Sequence, residues 1–201
     1  MTTTALAQRP KTALKSNGDR YTWLDILTGM SNGQREAIMH SGVAPQFDDL
    51  VGSEFAGANT PRIVKLVGIR KFCKGFYKGP ERSKTGPEPY IQGYNIPVKN
   101  DADDAPHQLQ PSPDNPKRFG FYRVHRPVEG NRDSRYENSL LLDYSLGGNG
   151  IFGPPLRDYV VQVYPDDPDL LLGKAYLAIL GLRIPMSFFV LKRLRSHDFA
   201  G

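Results

Sequence analysis

Apolar and polar positions alternate through the last third of the chain, and the alternation predicts strands. Arg157–Tyr164 is β-branched and aromatic, and Pro165-Asp166-Asp167-Pro168 after it is turn chemistry. Proline presets φ there and aspartate caps its own backbone. A strand over 170–177 follows, with Leu170, Leu172, Lys174 and Tyr176 on one face and Leu171, Gly173, Ala175 and Leu177 on the other. Met186–Leu194 makes a third strand. Three adjacent antiparallel strands of this pattern form a meander, not a βαβ unit.

The rest of the chain reads in the same terms. Trp23, Ile26 and Leu27 share a face at i, i+3, i+4 and predict a short helix over 21–27, ended by Gly29. Ser31 with Gln34 has the spacing of a capping box, opening a second short helix that runs to Gly42. Phe47–Gly57 reads as a strand entering the body, and Thr60-Pro61 as the start of a helix burying Ile63, Val64, Leu66 and Val67. Further strands are predicted over 90–98, 117–125 and 139–146. Between them, residues 99–116 form a long charged, proline-rich loop, of the kind that is either a lid or disordered. The total is seven or eight strands with helices near the N-terminus. The fold class is mostly β (α+β), a closed or nearly closed antiparallel meander barrel, because open sheet edges invite pairing. About eight strands enclose room for one small ligand.

Composition supports one domain. The 201 residues include 17 prolines, 20 glycines, ten tyrosines and ten phenylalanines, which favours turns, strands and an aromatic interior over long helices. The expected division is a disordered tail over 1–18, the barrel with its helical lead over 19–195, and a C-terminal tail over 196–201. The lone cysteine, Cys73, excludes an intramolecular disulfide and a cysteine-based zinc site. Residues 1–20 lack a signal-peptide core, and no apolar run reaches the length of a membrane span. A cytoplasmic protein fits these features.

The net charge of +5 is modest, but Arg62, Lys65, Arg70, Lys71, Lys74, Lys78, Arg82 and Lys84 crowd into one stretch against Glu81 alone. That stretch is either a solvated rim or a surface for phosphate, an anionic ligand or a membrane. Nucleic acid is a poor fit, since no RNA-binding aromatic signature or helix-turn-helix pattern accompanies it. Gly147-Gly148-Asn149-Gly150 lacks the lysine and following helix of a phosphate-cradling loop, so no nucleotide cofactor is expected.

A helical lead, then Leu50-Val51-Gly52-Ser53-Glu54-Phe55-Ala56-Gly57, then a meander ending in Phe189-Val190-Leu191-Lys192-Arg193, resembles the lipocalin-like (calycin) barrels. The resemblance is closest to bacterial proteins whose first strand carries a Gly-x-Trp-x-Gly signature. In that pattern a basic residue of the last strand lies over the tryptophan and closes one end of the barrel. The resemblance implies that Phe55 replaces the tryptophan, with spacing from Gly52 one residue longer, and that Arg193 or Lys192 covers it in a cation–π contact.

The four histidines, His40, His107, His125 and His197, share no metal-ligand spacing, and no metal is expected. His125 sits near a strand end and is the candidate general base. Asp143, mid-strand beside Leu140–Leu142, is either solvent-facing or inward and offset by Arg123 or Arg157. Aromatic residues within strands suggest a lined cavity. The expected ligand-binding set is Phe55, Tyr94, Phe121, Arg123, Tyr144, Tyr159, Tyr176 and Arg193, with Lys74, Lys78 or Arg82 meeting an anionic group at the mouth. Two functions fit: binding of a hydrophobic or aromatic small molecule, or an isomerase, cyclase or hydrolase using His125, Asp143 and a tyrosine as acid and base. Nothing in the pattern sets the oligomeric state.

Overall fold

Alternation becomes strand pairing along the whole chain. The computed structural model describes residues 14–60, 68–79, 91–147, 149 and 155–201. The strands are β1 (Ser53–Asn59), β2 (Lys71–Lys78), β3 (Ile91–Pro97), β4 (Phe119–His125), β5 (Leu140–Asp143), β6 (Leu156–Tyr164), β7 (Asp167–Ile179) and β8 (Leu182–Ser196). Each pairs antiparallel with the next, and β8 returns to β1, closing an eight-stranded barrel. A mostly β meander barrel is therefore the fold.

Inward positions follow the two-residue period. Phe55 and Gly57 of β1 lie opposite Lys74 and Phe72 of β2, and Lys74 and Phe76 lie opposite Asn95 and Gly93 of β3. Across the barrel, Leu142 and Leu140 face Asp158 and Val160, which face Ala175 and Gly173. Inward aromatics lie over strand glycines. A Cβ on Gly93 would stand 2.1 Å from the Tyr122 ring, and one on Gly173 would stand 2.1 Å from Phe189. Only glycine leaves room for a cross-strand ring at that height.

The outer surface is apolar too, and two covers bury it. The helical lead, a π-helical turn (Asp25–Gly29) and α1 (Asn32–Ser41), packs Ile26, Leu27, Ile38 and Met39 against Tyr159, Val161, Leu172 and Val190. The capping box forms: the Gln34 amide donates to Ser31 Oγ at 3.3 Å, and the Ser31 amide donates to Gln34 Oε1 at 2.8 Å. Arg35 joins the two helices by donating to the Ile26 and Leu27 carbonyls, each at 2.8 Å. On the opposite side, the loop after β3 and the C-terminal segment cover Cys73, Tyr77, Tyr94 and Ile96 with Leu109 and Phe199. Lys71 holds that loop, donating to Asp101 at 2.6 Å and to the Ala105 carbonyl at 2.7 Å.

Several expectations change. The strand predicted over 47–57 begins as a short helix, α2 (Phe47–Leu50), and only Ser53 onward is sheet. The strand predicted over 139–146 stops at Asp143, whose Oδ1 accepts the Ser145 amide at 2.8 Å and starts a 3₁₀ turn. The closing hairpin is longer than its pattern suggested. It turns through Leu180 and Gly181, with φ of 49° and 82°. Two consecutive positive φ values define a type I′ turn, which favours Asn-Gly, so leucine in the first position is strained. The helix predicted from Thr60 and residues 1–13 of the expected tail lie outside the described residues; Leu14 bridges to Arg20. Residues 197–199 are docked: the Phe199 ring lies 5.0 Å from both Tyr77 and Tyr94.

Candidate functional site

Antiparallel order gives the barrel two different ends. At one, α2 seats Leu50 against the lumen cluster of Phe55, Phe76, Tyr122, Leu140, Val160, Leu171 and Leu191. Arg193 seals this end. Its guanidinium stands 4.9 Å from the Phe55 ring centroid, donates to the Asp49 carbonyl at 2.8 Å and to Asp169 at 2.5 Å, and reaches Ser53 Oγ. At the other end β1, β3, β5 and β7 terminate, and the inward side chains Phe72, Asn95, Leu156, Ala175 and Ser187 are only half-buried. This end is the mouth.

Between plug and mouth lies a polar layer. Lys74 projects inward from mid-β2 because it alternates with Phe72 and Phe76. Its ammonium donates to Asp158 Oδ2 and Asn95 Oδ1, each at 3.0 Å, and to the Tyr144 hydroxyl. Tyr144 donates to the same Asp158 oxygen at 3.0 Å and accepts from Asn95 Nδ2 at 3.2 Å. Four rings surround the ammonium: Tyr122 at 4.9 Å, Tyr144 at 5.1 Å, Phe72 at 5.4 Å and Phe189 at 5.5 Å. The Lys74 side chain is 3% exposed and that of Asp158 is 7%.

Burial lowers the Lys74 pKa from the ordinary lysine value, opposed by the Asp158 carboxylate beside it. Burial, aided by the Asp158 charge, pushes the Tyr144 phenol well up, and Tyr122 rises for the same first reason. The layer can therefore do two things chemically. It presents a fixed pattern of donors and acceptors below an aromatic wall, and it holds an amine whose ammonium form burial disfavours beside a phenol that burial keeps protonated.

The expected ligand set splits between the two faces of the sheet. Phe55, Tyr144 and Arg193 point inward, though Phe55 and Arg193 belong to the plug rather than the mouth. Tyr94, Tyr159 and Tyr176 point outward and pack beneath the covers, and Phe121 packs beside Tyr94. Tyr94 donates to the buried Glu54 at 2.9 Å, and Glu54 also accepts from Arg195 at 2.7 Å. Arg123, His125 and Asp143 lie on the outer face of β4 and β5, because Tyr122, Val124 and Leu142 take the inward positions. Asp143 is bound there by Arg157 at 2.9 Å, and His125 Nδ1 meets the Arg126 carbonyl at 2.9 Å. The structure does not bring His125 and Asp143 to the lumen. Lys78 lies at the plugged end, and Arg82 lies outside the described residues.

Asp158 and Asn95 were the residues that sequence reasoning passed over, and Lys74 was placed at the mouth instead of the lumen. The pattern carried which neighbours share a face with each, though not that this face points inward. Asp158 shares the face of Leu156 and Val160, as Lys74 shares that of two phenylalanines. A depression of about 220 Å³ lies outside the barrel between Trp23, Leu24, Ala56, the 103–107 segment and Lys192. His107 stands edge-on to Trp23 there at 6.1 Å and meets the Gly57 carbonyl at 3.0 Å.

The class that fold and lumen define is a closed eight-stranded meander barrel with a plugged end, a mouth and a buried charged layer between them. No protein-family model matches the sequence, and no match is found among the curated proteins.

Proposed function

We propose that this is a lipocalin-like barrel that binds a small aromatic or hydrophobic molecule through its mouth. The apolar part of the ligand rests on Phe72, Leu156 and Phe189, and a polar group meets the layer of Lys74, Asp158, Asn95 and Tyr144. One observation carries the reading: a lysine and an aspartate are retained in the lumen. Apolar residues of similar volume fill such space at lower cost, so a buried ion pair is weak evidence for stability. Its four members instead form one connected hydrogen-bonded unit directly below the half-exposed inward residues.

An enzymatic reading, an isomerase, cyclase or hydrolase in the same lumen, is favoured by the Lys74–Tyr144 contact. The lowered pKa makes the Lys74 ammonium the readier proton donor of the two, while Tyr144 keeps its proton and donates to Asp158. It moves the acid–base role from His125 and Asp143 to the lumen.

Native mass spectrometry of protein purified from its own cells, with extraction of the bound compound, is the first test. A co-purified aromatic or apolar compound is expected. Its affinity for Tyr144→Phe should fall by roughly tenfold, the loss of a hydrogen bond to a charged group. Equal affinity of wild type and variant would remove the layer from the site. Conversion of the compound by wild type but not by Tyr144→Phe would establish the enzymatic reading.

A further inference from the structure

Two lysines of β2 are buried, and their surroundings differ in kind. Lys71, on the outer face, is ringed by acceptors: the Asp101 carboxylate and the Ala102, Ala105 and Pro106 carbonyls take its ammonium hydrogens. That shell suits a permanent charge. Lys74 has one carboxylate, and the Asp158 oxygen it uses is shared with the Tyr144 hydroxyl. The rest of its shell is a phenol, an amide oxygen and four aromatic rings. A lysine desolvated among apolar groups is the setting of a nucleophilic amine, and the burial-lowered pKa agrees with it.

The amine lies one side chain below the mouth. Its partner Asn95 is half-buried, as is Phe72, whose ring centroid stands 5.4 Å from Nζ. Beside the ion pair the wall is built of small residues. Asp158 pairs with Ala175 and Ala175 with Ser187, so two small, half-buried inward side chains follow the carboxylate across β7 and β8. The next row inward reads Val160, Gly173 and Phe189, where the Phe189 ring lies over the glycine. An anionic ligand would have to share Lys74 with an aspartate already 3.0 Å away. The inward residues at the mouth, Phe72, Asn95, Leu156, Ala175 and Ser187, bring no second cation. A neutral carbonyl group meets no such conflict.

We propose that the lumen captures an aldehyde or ketone carried on an aromatic or apolar body as an imine of Lys74, with Asp158 as proton carrier and counter-ion. The proposal rests on the reading that a small molecule enters by the mouth. Its chemistry closes within the pair. Asp158 takes one ammonium proton, and the freed amine attacks the carbonyl carbon. The C–N bond forms as the carbonyl oxygen receives that proton from Asp158. The carbinolamine nitrogen then gives a second proton to Asp158, which passes it to the hydroxyl. The C–O bond breaks and water leaves. Two ammonium hydrogens have departed with the oxygen, and the third stays on the iminium, whose charge the ionised Asp158 offsets. Tyr144, donating to Asp158 at 3.0 Å, fixes the carboxylate for both transfers. The rings around Nζ give the flat walls on which an aromatic body stacks.

Trapping with 2-naphthaldehyde and sodium cyanoborohydride at about pH 7 tests it on the wild-type chain, since the reductant turns an imine into a stable secondary amine. Intact mass spectrometry should show a single naphthylmethyl group per chain, and peptide mapping should place it on Lys74. Lys74 should be labelled at least about tenfold faster than the exposed Lys78, Lys99 and Lys192, which are almost wholly ammonium at that pH. Calorimetric titration with 2-naphthalenemethanol, which cannot form an imine, measures occupancy of the lumen separately. The same alcohol should slow the labelling of Lys74 alone. Binding of the alcohol with Lys74 unlabelled, or labelled no faster than the exposed lysines, would overturn the imine and leave the lumen as a binding site. Failure of the alcohol to bind, with Lys74 unlabelled, would overturn both.

Discussion

Lys74 shows how much one alternation position can carry. A lysine between two inward phenylalanines has to enter the lumen, and once there it needs a counter-ion, which β6 supplies as Asp158. Removing only one partner leaves a buried, uncompensated charge, so Lys74→Met should destabilise the fold by about 3–5 kcal/mol. Replacing both, as in Lys74→Met with Asp158→Leu, should recover most of that loss, and chemical denaturation of the two variants measures the difference. A double variant as unstable as the single one would show that Tyr144 and Asn95, left without the pair, dominate the cost. Recovered stability with lost ligand binding is the outcome that ties the pair to function.

At the scale of elements, the closing hairpin and its turn have opposite origins. β7 and β8 follow from two long β-prone runs whose pairing shifts register beside Pro185, whereas Leu180 contradicts the turn that joins them. A residue other than glycine in the left-handed region costs about 1–2 kcal/mol, and asparagine tolerates it best. Leu180→Asn should therefore raise the unfolding free energy by about 1 kcal/mol. In a chain of this size that corresponds to about 2–4 °C in the thermal midpoint. Calorimetry that showed a lower midpoint would mean the leucine makes stabilising contacts in the free protein.

Across the molecule, every tyrosine among the described residues except the half-buried Tyr21 is kept out of water. Burial raises the pKa of Tyr94, Tyr122, Tyr136, Tyr144, Tyr159 and Tyr164 above the ordinary tyrosine value. Unfolded tyrosines ionise from about pH 10 while these stay protonated, so the unfolded chain binds fewer protons above that pH. Stability is then lost as pH rises above 10, by about 1.4 kcal/mol per pH unit for each phenol held neutral. Lys74 works the other way, since its lowered pKa makes the folded state gain stability as pH approaches 10.5. One amine against six phenols leaves the net slope negative. A sharp alkaline transition is expected, with tyrosinate absorbance appearing together with loss of circular dichroism. Gradual ionisation before unfolding would show that the phenols reach solvent in the native barrel.

The strand pattern, the meander order and the capping box at Ser31 were legible in the sequence, because each is local or depends on a two-residue period that needs no knowledge of partners. The cation over Phe55 came only from the family resemblance, which left Arg193 and Lys192 open, and ring closure decides for Arg193. Which face of the sheet points inward was not legible. Both faces of β6 and β7 are apolar, because the helical lead buries the outer one as thoroughly as closure buries the inner. That ambiguity sent Tyr94, Tyr159 and Tyr176 to the cavity by expectation and to the outer face in fact. It also hid the pairing of Lys74 with Asp158, residues 84 positions apart that only ring closure brings to 3.0 Å. Alternation along the chain determined that there would be a barrel. The covers packed against it decided which side chains became its interior, since a strand with two apolar faces is oriented only by what is left to bury each one.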